Sequence, residues 1–330
     1  MLFMTTLIMG TVISVSSYSW VGMWAGLEIN LLSIIPLMNN SKIRASAESS
    51  LKYFITQALA STIILYSIIL LSKMSMSFTS MKSLMLLSMN LSFLMKMGAA
   101  PLHFWFPEII EGLDWLSTLI LLTWQKIAPM MILMINMSSM KFIIIIIISS
   151  MIIGGIQGLN QVSLRKILTF SSINHIGWMM SALMFNISVW FNYFLIYSLL
   201  STILILFFFK LKILYLMQLF SILKTNMLNK LMFNINFLSM GGLPPFLGFF
   251  PKWLTINLVV QNKLIFLSVI MVSLTLITLF YYVRITLQSL STESMQKIKI
   301  EKHNMSFSLN FINLLNLFSL ILMIQMFNLI

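Results

Sequence analysis

Four ionisable residues stand in stretches otherwise built from apolar side chains: Glu28, Lys96, Lys126 and Lys252. A charge at the centre of a lipid-facing span costs about 2.5–3.5 kcal/mol or more, so such residues are expected to face protein or water and to carry function. Glu28 and Lys126 fall near the centres of their stretches. A lysine near a helix end can instead stretch its amine toward the headgroups, and that plainer reading applies to Lys96 and less so to Lys252. The chemistry these types offer is proton transfer. Burial favours the neutral form of a lysine and of a glutamate, whereas a nearby opposite charge favours the ionised form of each. If Glu28 approaches Lys96, the pair holds the lysine protonated, and withdrawal of the carboxylate favours release of its proton to the next acceptor. A row of such lysines, linked by water, hydroxyl or imidazole groups, passes protons across a bilayer when their affinities shift in turn. His175, flanked by Ser171, Ser172 and Asn174, is a supporting candidate, with a hydrogen-bonded packing residue as the alternative. His103, beside Pro101 and Trp105, reads as interfacial and has a weaker claim.

The elements that must position these residues are transmembrane helices. Of 330 residues, 59% are hydrophobic and 8% are charged, and a soluble core cannot absorb that much apolar surface with so few ionic groups left for water. Runs such as 142–153 and 203–209 are continuously apolar. A lipid-facing barrel strand alternates with a period of two, so helices are expected. The formal charge of +13 sits in short loops between apolar spans, which signals topology and not a nucleic-acid partner. With no cysteine and three scattered histidines, the chain offers no thiolate or iron–sulfur site and no ligand spacing for zinc or haem. No cofactor or metal is therefore expected in this chain. Apolar residues begin at Met1 without a cleavable signal or an Arg-rich presequence. The 30 methionines and absence of cysteine are the composition expected of an AT-rich organelle-encoded gene.

The pattern predicts an all-α, polytopic transmembrane helical bundle, one integral membrane domain over 1–330. About eleven spans are expected, near 2–18, 20–38, 51–72, 83–98, 115–137, 142–160, 168–187, 189–209, 231–257, 265–287 and 306–328. Loops on the amino-terminal side carry thirteen basic residues, against four (Lys73, Lys82, Lys141 and Lys263) on the other. That bias places the N-terminus in the mitochondrial matrix or the bacterial cytoplasm and, with an odd span count, the C-terminus across the membrane, which for a mitochondrion is the intermembrane-space side. The basic loops suit anionic lipid headgroups such as cardiolipin. The stretch 210–230 reads equally as an amphipathic segment at the interface or a solvated loop, and 288–305 as an exposed loop. Helix breakers interrupt two spans, at Gly98-Ala99-Ala100-Pro101 and at Gly241-Gly242-Leu243-Pro244-Pro245. Discontinuous membrane helices usually line a polar cavity, because freed backbone groups need partners. The ninth span is expected to do so; the fourth stays open between a cavity and a simple kink. Gly154-Gly155-Ile156-Gln157-Gly158 lacks the Lys-Ser/Thr of a phosphate loop, and close helix packing explains it better.

The motifs around these residues resemble a known family. They are Trp24-Ala25-Gly26-Leu27-Glu28-Ile29-Asn30, Glu48-Ser49-Ser50-Leu51-Lys52-Tyr53-Phe54, Lys96-Met97-Gly98-Ala99-Ala100-Pro101-Leu102-His103-Phe104-Trp105, Trp124-Gln125-Lys126-Ile127-Ala128-Pro129, Ser171-Ser172-Ile173-Asn174-His175-Ile176-Gly177-Trp178 and Gly241-Gly242-Leu243-Pro244-Pro245-Phe246 through Phe250-Pro251-Lys252-Trp253. Together they resemble the subunit 2 family of mitochondrial NADH dehydrogenase, antiporter-like subunits in the membrane arm of respiratory complex I, in its short, insect-like animal form. The resemblance implies that Glu28 and Lys96 form a gating ion pair, that Lys126 is the central relay lysine and that Lys252 is the terminal proton site. His175 would line the polar axis between them. It also implies neighbouring membrane-arm subunits as partners, with FMN, iron–sulfur clusters and ubiquinone held by other subunits of the complex. Two rival functions remain open: a sodium/proton-type cation antiporter subunit, and a purely structural membrane-arm subunit.

Overall fold

A computed structural model of the chain describes residues 1–39, 44–73, 79–137, 139–224 and 227–291. Among these residues all regular structure is helical, with no β-strand and a single isolated bridge between Ser163 and Tyr215. The long Ile, Leu, Met and Phe runs give this outcome because a helix satisfies each backbone group within its own segment. The eleventh span expected at 306–328, and the polar stretch beyond 291, lie outside the described residues.

The chain divides into two compact units, the first ending at Ile146. The first holds α1 (Leu2–Ser16), α2 (Trp20–Met38), α3 (Arg44–Lys73), α4 (Thr79–Met97), α5 (Trp105–Gly112), α6 (Trp115–Leu122), a 3₁₀ turn (Trp124–Lys126) and α7 (Ile127–Ile135). α8 (Met140–Gly158) begins in the first unit and ends in the second. α1 and α2 form a tight hairpin because both are glycine at the crossing. A Cβ on Gly26 would lie 2.5 Å from the Ser14 amide nitrogen, and one on Gly10 would lie 2.9 Å from that of Asn30. Small residues at such crossings let backbones approach where lipid gives no hydrophobic push. α3 packs on α2, α4 and α5, and Lys52 reaches from α3 to Glu48 at 2.9 Å and to Glu108 of α5 at 3.5 Å on the exposed side.

The second unit holds α9 (Leu164–Leu183), α10 (Ile187–Leu211), α11 (Leu216–Leu223), α12 (Met227–Gly241), α13 (Phe249–Gln261) and α14 (Ile265–Ser291). α13 packs against α9, α10 and α14. α8 crosses α9 closely: a Cβ on Gly154 would meet the Phe170 carbonyl oxygen at 2.7 Å and the Asn174 nitrogen at 2.8 Å. The glycine cluster is thus a packing surface. Of the two readings for 210–230, a short amphipathic helix is found: α11 buries Leu219, Phe220 and Leu223 and leaves Met217 exposed.

Among the described residues, six helical stretches are long and apolar enough to cross a bilayer: Trp20–Met38, Arg44–Lys73, Trp115–Ile135, Met140–Gly158, Ile187–Leu211 and Ile265–Ser291. α4, α9, α12 and α13 are outside that set. These four include, or run directly beside, Lys96, His175 and Lys252.

Candidate functional site

Both expected breaks are present, and both are made the same way. α4 ends with Gly98 at φ +73°, its amide donating to the Met95 carbonyl while Ala99 donates to Leu94. α12 ends with Gly242 at φ +77°, its amide donating to Ser239 while Leu243 donates to Leu238. This paired pattern closes a helix with a left-handed residue, for which glycine pays no Cβ penalty. The chain resumes at α5 and at α13, so the fourth span is interrupted and not merely kinked. Side-chain donors add to the carbonyls at each end, the first as a second bond to one already accepting an amide. The Trp105 indole donates to Met95 O at 3.1 Å, and the Lys252 ammonium donates to Gly241 O at 2.8 Å.

The fifth expected span, 115–137, is also irregular, one turn before Pro129. α6 stops at Leu122, the backbone tightens into the 3₁₀ turn Trp124–Lys126, and α7 follows. Lys126 therefore sits at a local change of helical winding, a feature that often marks a functional position.

The three lysines are buried in protein, at 7% exposure for Lys96, 1% for Lys126 and 6% for Lys252. Lys126 Nζ lies 5.9 Å from the centroid of the Phe106 ring. Phe106 in turn fills the space over Gly98, where a Cβ would meet its ring at 3.1 Å. One aromatic side chain thus touches the break next to Lys96 and the ammonium of Lys126. In the second unit, Lys252 Nζ is 6.0 Å from the Trp178 ring centroid. Trp178 is one helical turn beyond His175 on α9, so Lys252 packs beside the face that carries the histidine.

Glu28 is half-buried, and its Oε1 is buried without a hydrogen-bond partner among the described residues. Among the described residues the ion pairs within 4.0 Å are those of Lys52, and Glu28 with Lys96 is not one of them, so the ion pair expected between these two is not closed.

Between these charges lie neutral polar side chains that drew no role from the sequence. Gln125 Nε2 donates to Asn30 Oδ1 at 2.9 Å, and its Oε1 accepts from the Tyr53 hydroxyl at 3.5 Å. Gln57 Nε2 donates to the Lys96 carbonyl at 3.5 Å. Asn136 Nδ2 donates to Asn90 Oδ1 at 2.7 Å and Asn90 Nδ2 to the Asn136 carbonyl at 3.1 Å, joining α4 to the end of α7. In the second unit, His175 Nδ1 shares a 2.8 Å hydrogen bond with the Tyr193 hydroxyl, and its ring lies 5.0 Å from that of Tyr197. Tyr193 and Tyr197 of α10 thus place two phenol side chains beside the histidine. Amides and hydroxyls inside apolar spans are the available signal for such groups. His103 is buried at 1% exposure, with Nδ1 donating to Pro101 O at 3.2 Å inside the turn between α4 and α5. Among the described residues no cluster of three or more His, Cys, Asp or Glu could hold a metal ion.

Comparison with known proteins adds to this geometry. The family described as NADH:quinone oxidoreductase/Mrp antiporter, transmembrane, matches residues 17–278. The chain is 49% identical over 327 residues to NADH-ubiquinone oxidoreductase chain 2 of Anopheles gambiae, covering 97% of this chain and 92% of that one. It is 43% identical to the protein of the same name from Locusta migratoria, covering 88% and 85% of the two chains. Among solved structures it is similar to a chain of respiratory complex I from Thermus thermophilus, with TM-score 0.84, 21% identity, and coverage of 97% of this chain and 77% of that one. A chain of the Mrp complex from a Dietzia species is similar at TM-score 0.77 and 17% identity, over 86% of this chain and 59% of that one.

Proposed function

The chain belongs to the NADH:quinone oxidoreductase/Mrp antiporter transmembrane family, and we propose on that footing that it is the membrane-arm, proton-translocating subunit 2 of mitochondrial NADH:ubiquinone oxidoreductase. It works without redox chemistry of its own. FMN, iron–sulfur clusters and ubiquinone belong to other subunits, and this chain uses the energy they release. Lys96, Lys126 and Lys252 take up and release protons, Glu28 biases Lys96 through its field, and His175 supports transfer in the second unit. The chain crosses the inner membrane about eleven times, with its N-terminus in the matrix and its C-terminus on the opposite side. Neighbouring membrane-arm subunits flank it, and cardiolipin headgroups lie against its basic loops.

The observation that carries this reading is the burial of three lysines inside protein, each at or beside an interruption or rewinding of its helix. A scaffold gains nothing from three buried amines, each costing several kcal/mol to place away from water. The identity of 43–50% with insect NADH-ubiquinone oxidoreductase chain 2 proteins favours the NADH-linked complex over a sodium/proton antiporter. The test is Lys126→Met, which keeps length and removes the proton site. In the assembled complex the ratio of protons moved to electrons passed should fall, with NADH oxidation by a soluble acceptor unchanged. A wild-type ratio refutes the proposal.

A further inference from the structure

We propose that the polar pocket beside Lys96 is a binding site for a single water molecule, and that Gln125 is the positioning residue that holds this water in the path of the Lys96 proton. The inference rests on the proton-transfer reading above and names a residue set that reading does not require. The pocket lies within the first unit and is lined on its polar side by Asn30, Tyr53, Gln57, Lys96 and Gln125. Its free volume admits roughly one water molecule. All five side chains are buried, Asn30 at 2% and Tyr53 and Gln57 at 3% exposure. A small apolar void stays dry, but a site with two to four polar partners retains water.

Gln125 is suited to the task by what its two bonds leave over. Its amide is pinned between α2 and α3, donating to Asn30 at 2.9 Å and accepting from Tyr53 at 3.5 Å. A carboxamide has two N–H donors and two acceptor lone pairs, so one of each is still open to the pocket. The Lys96 ammonium brings three donors. A water accepting from Lys96 and bonded to the Gln125 amide is therefore oriented before any transfer begins. When Lys96 gives its proton to the water oxygen, the water gives up one of its own protons to the next base of the proposed relay, the neutral amine of Lys126, which becomes charged. Lys96 ends neutral and the water ends as it began. Gln125 gains and loses no proton in this step, and it precedes Lys126 in the same 3₁₀ turn. The water thus sits between Lys96 and the backbone that carries the next lysine.

The test uses the assembled complex with Gln125→Leu, which keeps bulk and removes both amide groups, and with Tyr53→Phe, which removes only the hydroxyl. A high-resolution cryo-EM map of the unsubstituted complex should show an ordered water within hydrogen-bonding distance of Lys96 Nζ and the Gln125 amide, and the Gln125→Leu map should lack it. Proton-coupled quinone reduction should slow on the order of tenfold in Gln125→Leu, with an enlarged solvent deuterium isotope effect that a packing defect would not produce. Tyr53→Phe should move rate and isotope effect the same way by about twofold, the scale of a weak bond worth about 0.5 kcal/mol. A dry pocket in the unsubstituted complex overturns the proposal, as does a wild-type rate and isotope effect in Gln125→Leu. If Gln125→Leu fails to assemble, Tyr53→Phe decides, and unchanged kinetics there overturn it. Loss of pumping in Lys126→Met with full activity in Gln125→Leu sinks the water site alone; normal pumping in Lys126→Met sinks the relay itself.

Discussion

Lys252 owes its place to a missing side chain. Gly242 closes α12 in the left-handed region, and a Cβ there would lie 2.8 Å from both Cδ and Nζ of Lys252. The absence of that carbon lets the ammonium reach Gly241 O, where a cation at a partly buried helix C-terminus contributes up to about 2 kcal/mol. Gly242→Ala adds about 1–2 kcal/mol of backbone strain and pushes the amine off the carbonyl. The expected outcome is an assembled complex with a lowered proton-to-electron ratio. Gly241→Ala is the control, because a Cβ at Gly241 meets Tyr282 at an ordinary 3.5 Å; it should pump normally, and equal loss in both variants would show that only general packing is at stake. The charged members of the site were legible in the sequence because a lysine in an apolar run stands out. The neutral members were not. Asn30, Tyr53 and Gln125 all lie inside motifs that the eye had already picked out, yet an amide or phenol carries no charge, and partners 72 and 95 residues apart are joined only by the fold.

At the level of elements, hydropathy and breakers foretold most of the helices but not how they end. Both glycine breaks were readable, because glycine and proline together cannot continue a helix. The 3₁₀ turn at Trp124–Lys126 was overlooked although its signal is in the sequence: Pro129 has no amide to donate to the Gln125 carbonyl and its ring crowds that carbonyl, which disturbs the winding one turn upstream. α5 was also missed: eight residues with Glu108 and Glu111 are too short and too polar to register as a span. The reading of Gly154–Gly158 as a packing surface leads to a contrast within one helix. A Cβ at Gly154 would collide with α9 backbone, which cannot swing aside as a side chain can, whereas one at Gly155 would make ordinary contacts with α14, Ile277 at 3.4 Å and the Leu274 carbonyl oxygen at 3.7 Å. Gly154→Ala should therefore destabilise by about 1–3 kcal/mol through overpacking, visible as less assembled complex on native gels and a lower melting temperature. Gly155→Ala should be neutral or slightly stabilising, because alanine favours a helix by about 1 kcal/mol over glycine. Equal tolerance at both positions would mean that α8 and α9 do not cross at Gly154.

For the molecule as a whole, the decisive quantity is how its positive charge is shared between the two faces of the membrane. On the topology proposed above, α10's end and α13's end lie on opposite sides, with one broken crossing, α12 with α13, between them. Lys212 and Lys263 make a matched pair for testing this. Each is exposed, follows a helix, and has left-handed backbone, at φ +54° and φ +63°. Each also closes its helix by the same paired hydrogen bonds: Lys212 to Phe209 with Ile213 to Phe208, and Lys263 to Val260 with Leu264 to Val259. A cysteine substituted at either position meets the same backbone strain, so a difference in reactivity reports location and not conformation. The chain has no cysteine of its own, so any label on this subunit comes from the introduced thiol. With a membrane-impermeant maleimide, Lys212→Cys should be modified only where the matrix face is open, in inside-out inner-membrane vesicles, and Lys263→Cys only in mitoplasts. Labelling of both from one side would require an even number of crossings between them. The broken α12–α13 segment would then be a re-entrant hairpin, and Lys252 could not pass a proton from one aqueous phase to the other.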